Sequence, residues 1–323
     1  MQRSTPNWPR IIAGVLVVVT GLQLCSGALV TTYDAAMAVD DWPTTRGHNM
    51  FLFPPAEWLY GPFDLLLEHG HRLWGTVVGM LTLALAAACW SGTTRPAARS
   101  LAAAAVGLVI LQGLVGGFRV LLDDQTVAKV HACAGPLFFA VVVAIAALVR
   151  RGGAEPTVAS RFAVATTIGL VVAAYLQLVA GAQLRHLDAG VAPSTFHALV
   201  ATHLAGAAAV AALAAVAVVA TRAAAPRPRR WSLVILGLVG CQIGLGVGAW
   251  IAKYGVPSAL VPESWRFSEP IVARSGVGAA IVTGHAVLGM LILGAAVALA
   301  LAAGALVRRP ATVAVGGRKE AFA

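Results

Sequence analysis

Apolar residues in this chain come in long unbroken blocks rather than in the alternating or helical stripes of half-buried strands and helices. Blocks long enough to cross a bilayer, at ~20 residues each, lie at about 11–30, 66–90, 101–121, 130–149, 162–184, 197–220, 232–252 and 277–307. They predict an all-α integral membrane protein of eight transmembrane helices with no soluble domain. Strand-like alternation is absent, which excludes a membrane β-barrel. The block from Ile11 to Val30 is too long for the apolar part of a signal peptide. Leu24 before Cys25 is also a poor lipoprotein cleavage context, so this block reads as the first membrane helix.

Composition points the same way. Of 323 residues, 59% are hydrophobic and 11% charged, against roughly 25% charged in soluble domains. The net charge of +10 forms no patch or nucleic-acid motif, so nucleic-acid binding is excluded and lipid is the solvent. With the N-terminus inside, Arg3, Arg10, Arg95, Arg99, Arg150, Arg151, Arg161, Arg222, Arg227, Arg229, Arg230, Arg308, Arg309, Arg318 and Lys319 share one side with only Glu155 and Glu320. That asymmetry implies a multi-pass protein of the cell membrane with both termini cytoplasmic. The outer loop from Thr31 to Leu65 is long and aromatic, with Trp42, Phe51, Phe53, Trp58, Tyr60 and Phe63. It is expected to lie on the membrane surface or to fold over the helix ends as a lid. Cys25, Cys89, Cys133 and Cys241 form no CxxC pair and read as small core residues.

The chain repeats itself. Leu22-Gln23-Leu24, Gly27-Ala28 and Asp34-Ala35 recur as Leu176-Gln177-Leu178, Gly181-Ala182 and Asp188-Ala189, at one offset of 154 positions. His131 and His285 are separated by the same interval, and Gln112 with Gly116 recurs as Gln242 with Gly246. Two pseudo-symmetric four-helix bundles follow, over 1–155 and 156–323. Both begin on the inside, so the duplication is parallel.

Each half supplies histidines on its even-numbered spans: His71 and His131, then His203 and His285. All four fall in the outer part of the membrane, and two imidazoles on separate helices of one bundle suit the two faces of a haem iron. Gly75, Gly135 and Gly289, each four residues after a histidine, are expected to leave room for a flat macrocycle. His197 competes with His203 on the sixth span, while His69 and His186 read as interfacial. The four glutamines, Gln23, Gln112, Gln177 and Gln242, pair with each other, meet cofactor edges or serve structure alone. Arg119 and Arg185, at outer helix ends, are placed for carboxylates or for snorkelling to the surface.

The halves differ at one informative place. Glu68 precedes His71 by three, and Arg72 follows it, where His203 has Val200 and Leu204. Glu68 and Arg72 are either a plain i,i+4 ion pair or the mark of a substrate site in the first half, with a permanent electron-transfer haem in the second.

These residues resemble the haem A synthase family over essentially the whole chain. The likeness rests on Glu68-His69-Gly70-His71-Arg72, on Met37-Ala38-Val39-Asp40-Asp41-Trp42-Pro43 and on the histidines of spans four, six and eight. It implies oxidation of the C8 methyl of haem O to a formyl group, through two hydroxylations and loss of water, giving haem A for terminal oxidases. It implies that His203 and His285 hold a b-type haem and that His71 and His131 face the substrate, with Glu68 as the acid needed for catalysis; Arg72, Arg119 and Arg185 are the cations expected beside the porphyrins from their positions in the chain. Haem O synthase and the terminal oxidase assembly machinery are the implied partners. Leu204 departs from the arginine that many members carry after this histidine, and the outer loops lack the paired cysteines of some members. A di-haem b-type electron carrier explains the histidines equally well but not Glu68, and a non-catalytic haem carrier or assembly factor is the third reading.

Overall fold

A computed structural model describes residues 7–92, 94–150, 159–187, 190–224, 226–256 and 275–304. Asp188, residues 257–274 of the long outer loop that runs from Lys253 to Gly276, and the charged residues Arg3, Arg151, Glu155, Arg308, Arg309, Arg318, Lys319 and Glu320 lie outside the described residues. Eight long helices carry the apolar blocks: α1 (Trp8–Thr32), α3 (Phe63–Ser91), α4 (Pro96–Leu122), α5 (Gln125–Arg150), α6 (Arg161–Arg185), α7 (Pro193–Thr221), α8 (Pro226–Tyr254) and α9 (Gly276–Ala302). A short α2 (Pro55–Leu59) sits in the first outer loop. The long helices have 25 to 29 residues, so at ~1.5 Å per residue each exceeds the ~30 Å hydrocarbon core.

The ends of these helices lie where local chemistry places them. Asn7, Ser160 and Ser275 accept from the backbone N–H three residues on, and Asp124 does the same for Val127, which satisfies donors the helix leaves free. Pro96, Pro193 and Pro226 occupy first helical positions, where a missing N–H costs nothing. Several helices begin earlier than the apolar blocks, because polar residues remain helical in the interfacial zone. Thus α3 begins at Phe63, and Glu68, His71 and Arg72 lie inside its second and third turns rather than at its mouth.

Helix α1 packs along α3 and α5, and α4 lies between α3 and α5. Likewise α6 packs along α7 and α9, and α8 lies between α7 and α9. The two sets meet where α9 runs against α1 and α5 and where α5 touches α6. Leu16, Leu85, Phe138, Val142 and Ile145 are buried in one apolar core, and Leu170, Ile235, Ile292 and Leu299 in the other. A smaller cluster of Ala140, Ala174 and Leu293 joins them.

The first outer loop is the lid-like element that its length and aromatic content suggest. Thr44–Thr45 pairs antiparallel with His48–Asn49, across a turn whose Arg46 (φ +50°) and Gly47 (φ +76°) are both left-handed, as a tight hairpin turn requires. The Asp41 carboxylate accepts from both turn N–H groups at 2.8 Å. Burial pushes its carboxyl up, but the Thr44 hydroxyl and the Gly47 and Arg46 amides together hold it below its usual range.

Candidate functional site

The four histidines come together as two pairs. His71 of α3 faces His131 of α5 with ring centres 6.4 Å apart and planes at 84°. His203 of α7 faces His285 of α9 at 6.3 Å and 67°. An imidazole nitrogen sits ~2.0–2.1 Å from a bound metal. Adding about 1.1 Å from nitrogen to ring centre, two imidazoles on opposite sides of one ion have centres roughly 6.3 Å apart. Both pairs have that spacing. His197 instead packs against the ring of its neighbour Phe196, away from His285.

Each histidine is seated by the helix that packs beside it. The side-chain amides of Gln23, Gln112, Gln177 and Gln242 donate to the backbone carbonyls of His71, His131, His203 and His285 at 3.0, 3.3, 2.9 and 2.9 Å. Gly75, Gly135 and Gly289 also meet the glutamines: a Cβ at each would lie 3.2–3.3 Å from a glutamine Nε2, while Gly75 and Gly135 line a cavity beside the first pair. These glycines make space for the glutamine amides. His285 Nδ1 also pairs with the Gln242 carbonyl oxygen at 3.2 Å. With Nδ1–H donated there, Nε2 is left as the metal-facing lone pair.

Buried polar atoms in proteins are nearly always paired, and an unpaired one asks for a reason. Among the described residues, the buried side-chain polar atoms without a partner are Oε1 of Gln23, Gln112, Gln177 and Gln242, Nδ1 of His71 and His131, and Oγ1 of Thr20. All but Thr20 belong to the histidine–glutamine sets, and Thr20 lines the cavity beside the first pair.

That cavity has a volume of about 580 Å³, within the range of roughly 300–1,000 Å³ for sites of small molecules and cofactors. His71, His131, Glu68, Arg119, Arg185 and His186 line it, with Ala286 and Met290 of α9 on one wall. Arg119 donates to the Ala36 carbonyl, and Arg185 reaches from α6 to the Ala28 carbonyl (2.6 Å) and the Thr32 hydroxyl (2.8 Å) of α1. Thr32 in turn meets Thr283 of α9 at 2.9 Å. His186, just past the end of α6, is pushed down to about 4 by burial and by the adjacent Arg185, so it is neutral at pH 7.

Glu68 and Arg72 line the same cavity and hold the loop above it. Arg72 donates to the carbonyls of Val39 (2.8 Å), Asp41 (2.7 Å) and Thr44 (3.1 Å). It also pairs with Glu68 Oε1 at 2.9 Å, with both side chains 10% exposed or less. Glu68 Oε2 accepts the Val39 N–H at 3.0 Å. The bland reading of Glu68 and Arg72 as an ion pair is thus realised, with the backbone of the loop as third partner. Trp42, on that loop, packs onto Gly117 of α4, where any Cβ would run into the indole.

Sequence reasoning missed His69. It is 1% exposed rather than interfacial, bonded to the Thr45 hydroxyl at 3.1 Å, with the Phe53 and Trp58 rings packed on it at 5.3 and 5.0 Å. The aromatic residues of the loop were its only signal. No group of three or more His, Cys, Asp or Glu that could hold a metal ion gathers among the described residues. Protein-only metal centres take three or four such ligands. Paired imidazoles instead suit an iron whose four equatorial positions are filled by a porphyrin. Ring spacing, unpaired polar atoms and ligand number all fit haem.

Comparison with known proteins places this geometry. Residues 61–202 match the model of the COX15-CtaA family, described as Cytochrome oxidase assembly protein. That segment holds Glu68, His71, Arg72, Arg119, His131 and Arg185 and ends one residue before His203. A Heme A synthase of Shouchella clausii (strain KSM-K16) is 29% identical over 190 residues, 57% of this chain and 59% of that protein. A Heme A synthase of Alkalihalophilus pseudofirmus (strain ATCC BAA-2126 / JCM 17055 / OF4) is 28% identical over 189 residues, 57% of this chain and 60% of that protein. The chain thus matches about three fifths of the length of these curated relatives. Residues 61–202, which carry the first histidine pair and the acid beside it, are thus similar to the cytochrome oxidase assembly family, and the chain is similar over about 190 residues to two proteins named Heme A synthase.

Proposed function

We propose that this protein is a membrane oxidoreductase of haem A biosynthesis that converts the C8 methyl of haem O to a formyl group, giving haem A for terminal oxidase assembly. The observation that carries this reading is the concentration of unpaired buried polar atoms on His71, His131 and the glutamines that seat both histidine pairs, each pair spaced for a single iron. The asymmetry between the pairs supports a division of roles. His71 and His131 take the substrate haem O, in the cavity that also holds Glu68. Arg119 and Arg185 face the propionates of that substrate, and Arg72 holds the covering loop shut. His203 and His285 take a resident haem b, which when bound supplies one-electron chemistry. Glu68 moves a proton, or steadies positive charge developing at the methyl carbon, a contribution of ~10²–10⁴-fold.

The two sites sit in two pseudo-symmetric four-helix bundles, 1–155 and 156–323, a reading supported by the neighbours of each helix. The protein lies in the cell membrane with both termini cytoplasmic, as the distribution of arginine supports. Its partners are haem O synthase as the source of substrate and the oxidase assembly machinery as recipient.

Glu68→Gln tests the catalytic role. The variant is co-expressed with the farnesylating enzyme that supplies haem O, and the extracted haems are resolved by mass. The expected result is accumulation of haem O with haem A reduced by roughly 10²-fold or more. Haem A at the wild-type level would remove Glu68 from the chemistry. One observation favours a second reading: both Glu68 oxygens are committed, Oε1 to Arg72 and Oε2 to the Val39 N–H of the loop, so its acid serves structure in a di-haem b-type electron carrier. In that case, or for a non-catalytic haem carrier, wild-type protein leaves the mass of haem O unchanged.

A further inference from the structure

We propose that Gln-x-x-x-Gly is a clamp used four times, once for each histidine, and that these glutamines and glycines are positioning residues that set where the imidazoles stand. The motif occurs as Gln23-Gly27 on α1, Gln112-Gly116 on α4, Gln177-Gly181 on α6 and Gln242-Gly246 on α8. Residues four apart share one helix face. On that face the glutamine amide donates to the backbone carbonyl of the histidine on the neighbouring helix, and the glycine lies under the ring. A Cβ on Gly27, Gly116, Gly181 or Gly246 would stand 2.9, 2.9, 3.3 or 3.0 Å from Cε1 of His71, His131, His203 or His285. The ring occupies the volume that any other residue would fill.

The clamp has two parts with separate effects. The amide fixes the height of the histidine helix against its neighbour through its bond to main chain, and those of Gln23 and Gln177 also reach a ring nitrogen of His71 (3.4 Å) and of His203 (3.1 Å). The glycine fixes the rotamer, because it opens one berth for the imidazole. Together they set the spacing of 6.3–6.4 Å between facing rings. The glutamine must be buried to do this, which leaves its Oε1 unpaired in all four cases. Such an atom is costly, and the same cost at all four positions points to a shared task. The inference rests on the reading that both pairs hold haem.

Other glycines on the same helices provide the controls. Gly21 of α1, Gly107 of α4 and Gly237 of α8 have open space where a Cβ would go. The full-length protein is purified after expression with haem, and each bis-imidazole iron is followed by its low-spin electron paramagnetic resonance signal, its midpoint potential and the haem retained per protein. Gly27→Ala and Gly116→Ala are expected to alter the signal of one site, and Gly246→Ala that of the other. Haem retention should weaken by roughly the 10–100-fold that outer-shell partners of a metal ligand contribute. Gly181→Ala should be the mildest, since its contact is the longest. Gly21→Ala, Gly107→Ala and Gly237→Ala should superimpose on wild type.

Clamp variants with wild-type signals, potentials and retention would overturn the proposal. Where a glycine variant does not fold, Gln23→Leu, Gln112→Leu and Gln242→Leu decide. They keep volume but remove the donor, and an unchanged signal in them refutes the clamp equally. A wild-type protein with no bis-imidazole signal at all would instead refute the haem reading itself.

Discussion

Arg72→Ala is the perturbation whose consequences the structure specifies most closely. In one step it removes the hydrogen bonds to the carbonyls of Val39, Asp41 and Thr44 and strips Glu68 of its cation. Glu68 is 3% exposed, and stranding one member of a buried pair costs about 3–5 kcal/mol. The loop bears this cost, because it is the element that Arg72 and Glu68 tie down. Its opening equilibrium should therefore rise by between roughly 10²-fold and 4 × 10³-fold, at 1.4 kcal/mol per decade.

Arg46 reports the opening. It is exposed at the hairpin tip, held in its turn by the Asp41 carboxylate, and trypsin cleaves after it once the tip can enter the protease. When the loop recloses faster than it is cut, the cleavage rate follows the opening equilibrium. Arg72→Ala should thus be cut after Arg46 faster by about that same factor, roughly 10² to 4 × 10³. In the double variant with Glu68→Gln, the buried charge is gone and part of the loss is recovered, by roughly 0.5–3 kcal/mol of coupling. Equal cleavage of wild type and Arg72→Ala, or strict additivity in the double variant, would refute the reasoning.

Three further outcomes are expected. Gly294→Ala should lower stability by roughly 1–3 kcal/mol, because a Cβ there would lie 2.7 Å from the buried Phe139 ring where α9 meets α5; Gly79→Ala, facing open space, should not, and thermal midpoints in detergent compare the two. Arg185→Leu should lose hydrogen bonds worth about 1.5–3 kcal/mol each between α6 and α1 and lower the thermal midpoint, whereas an unchanged midpoint would show that this bridge does not hold the helices together. His186 stays neutral when folded, with its titration moved from an ordinary 6.5 to about 4; the unfolded chain then binds the extra proton between those values, so its contribution to stability is complete above about pH 6.5 and lost as pH falls toward 4, which thermal midpoints of wild type against His186→Gln across that range check.

Much of the architecture was legible because lipid imposes simple rules. Unbroken apolar runs read as membrane helices, and the repeat of Leu22-Gln23-Leu24 at Leu176-Gln177-Leu178 points to a duplication. The histidines were legible as a group because polar residues in lipid are costly and stand out. The clamp of the loop was not legible. Arg72 bonds to main-chain carbonyls about thirty positions away, and a carbonyl leaves no trace in residue identity. His69 was misplaced for a related reason: its burial depends on Phe53 and Trp58 folding back over it, which apolar pattern alone does not encode. Gly75, Gly135 and Gly289 have a second neighbour that the sequence does not show. Their neighbours are the glutamine amides of another helix, and only the packing of α1 on α3 or α4 on α5 brings those together.

The most direct test of the central claim is the low-spin iron signal of the purified protein, measured for wild type and for His71→Ala and His285→Ala. Two bis-imidazole centres are expected in protein supplied with haem, with His71→Ala removing one and His285→Ala the other. A colourless wild-type protein, or two signals that survive both substitutions, would contradict it.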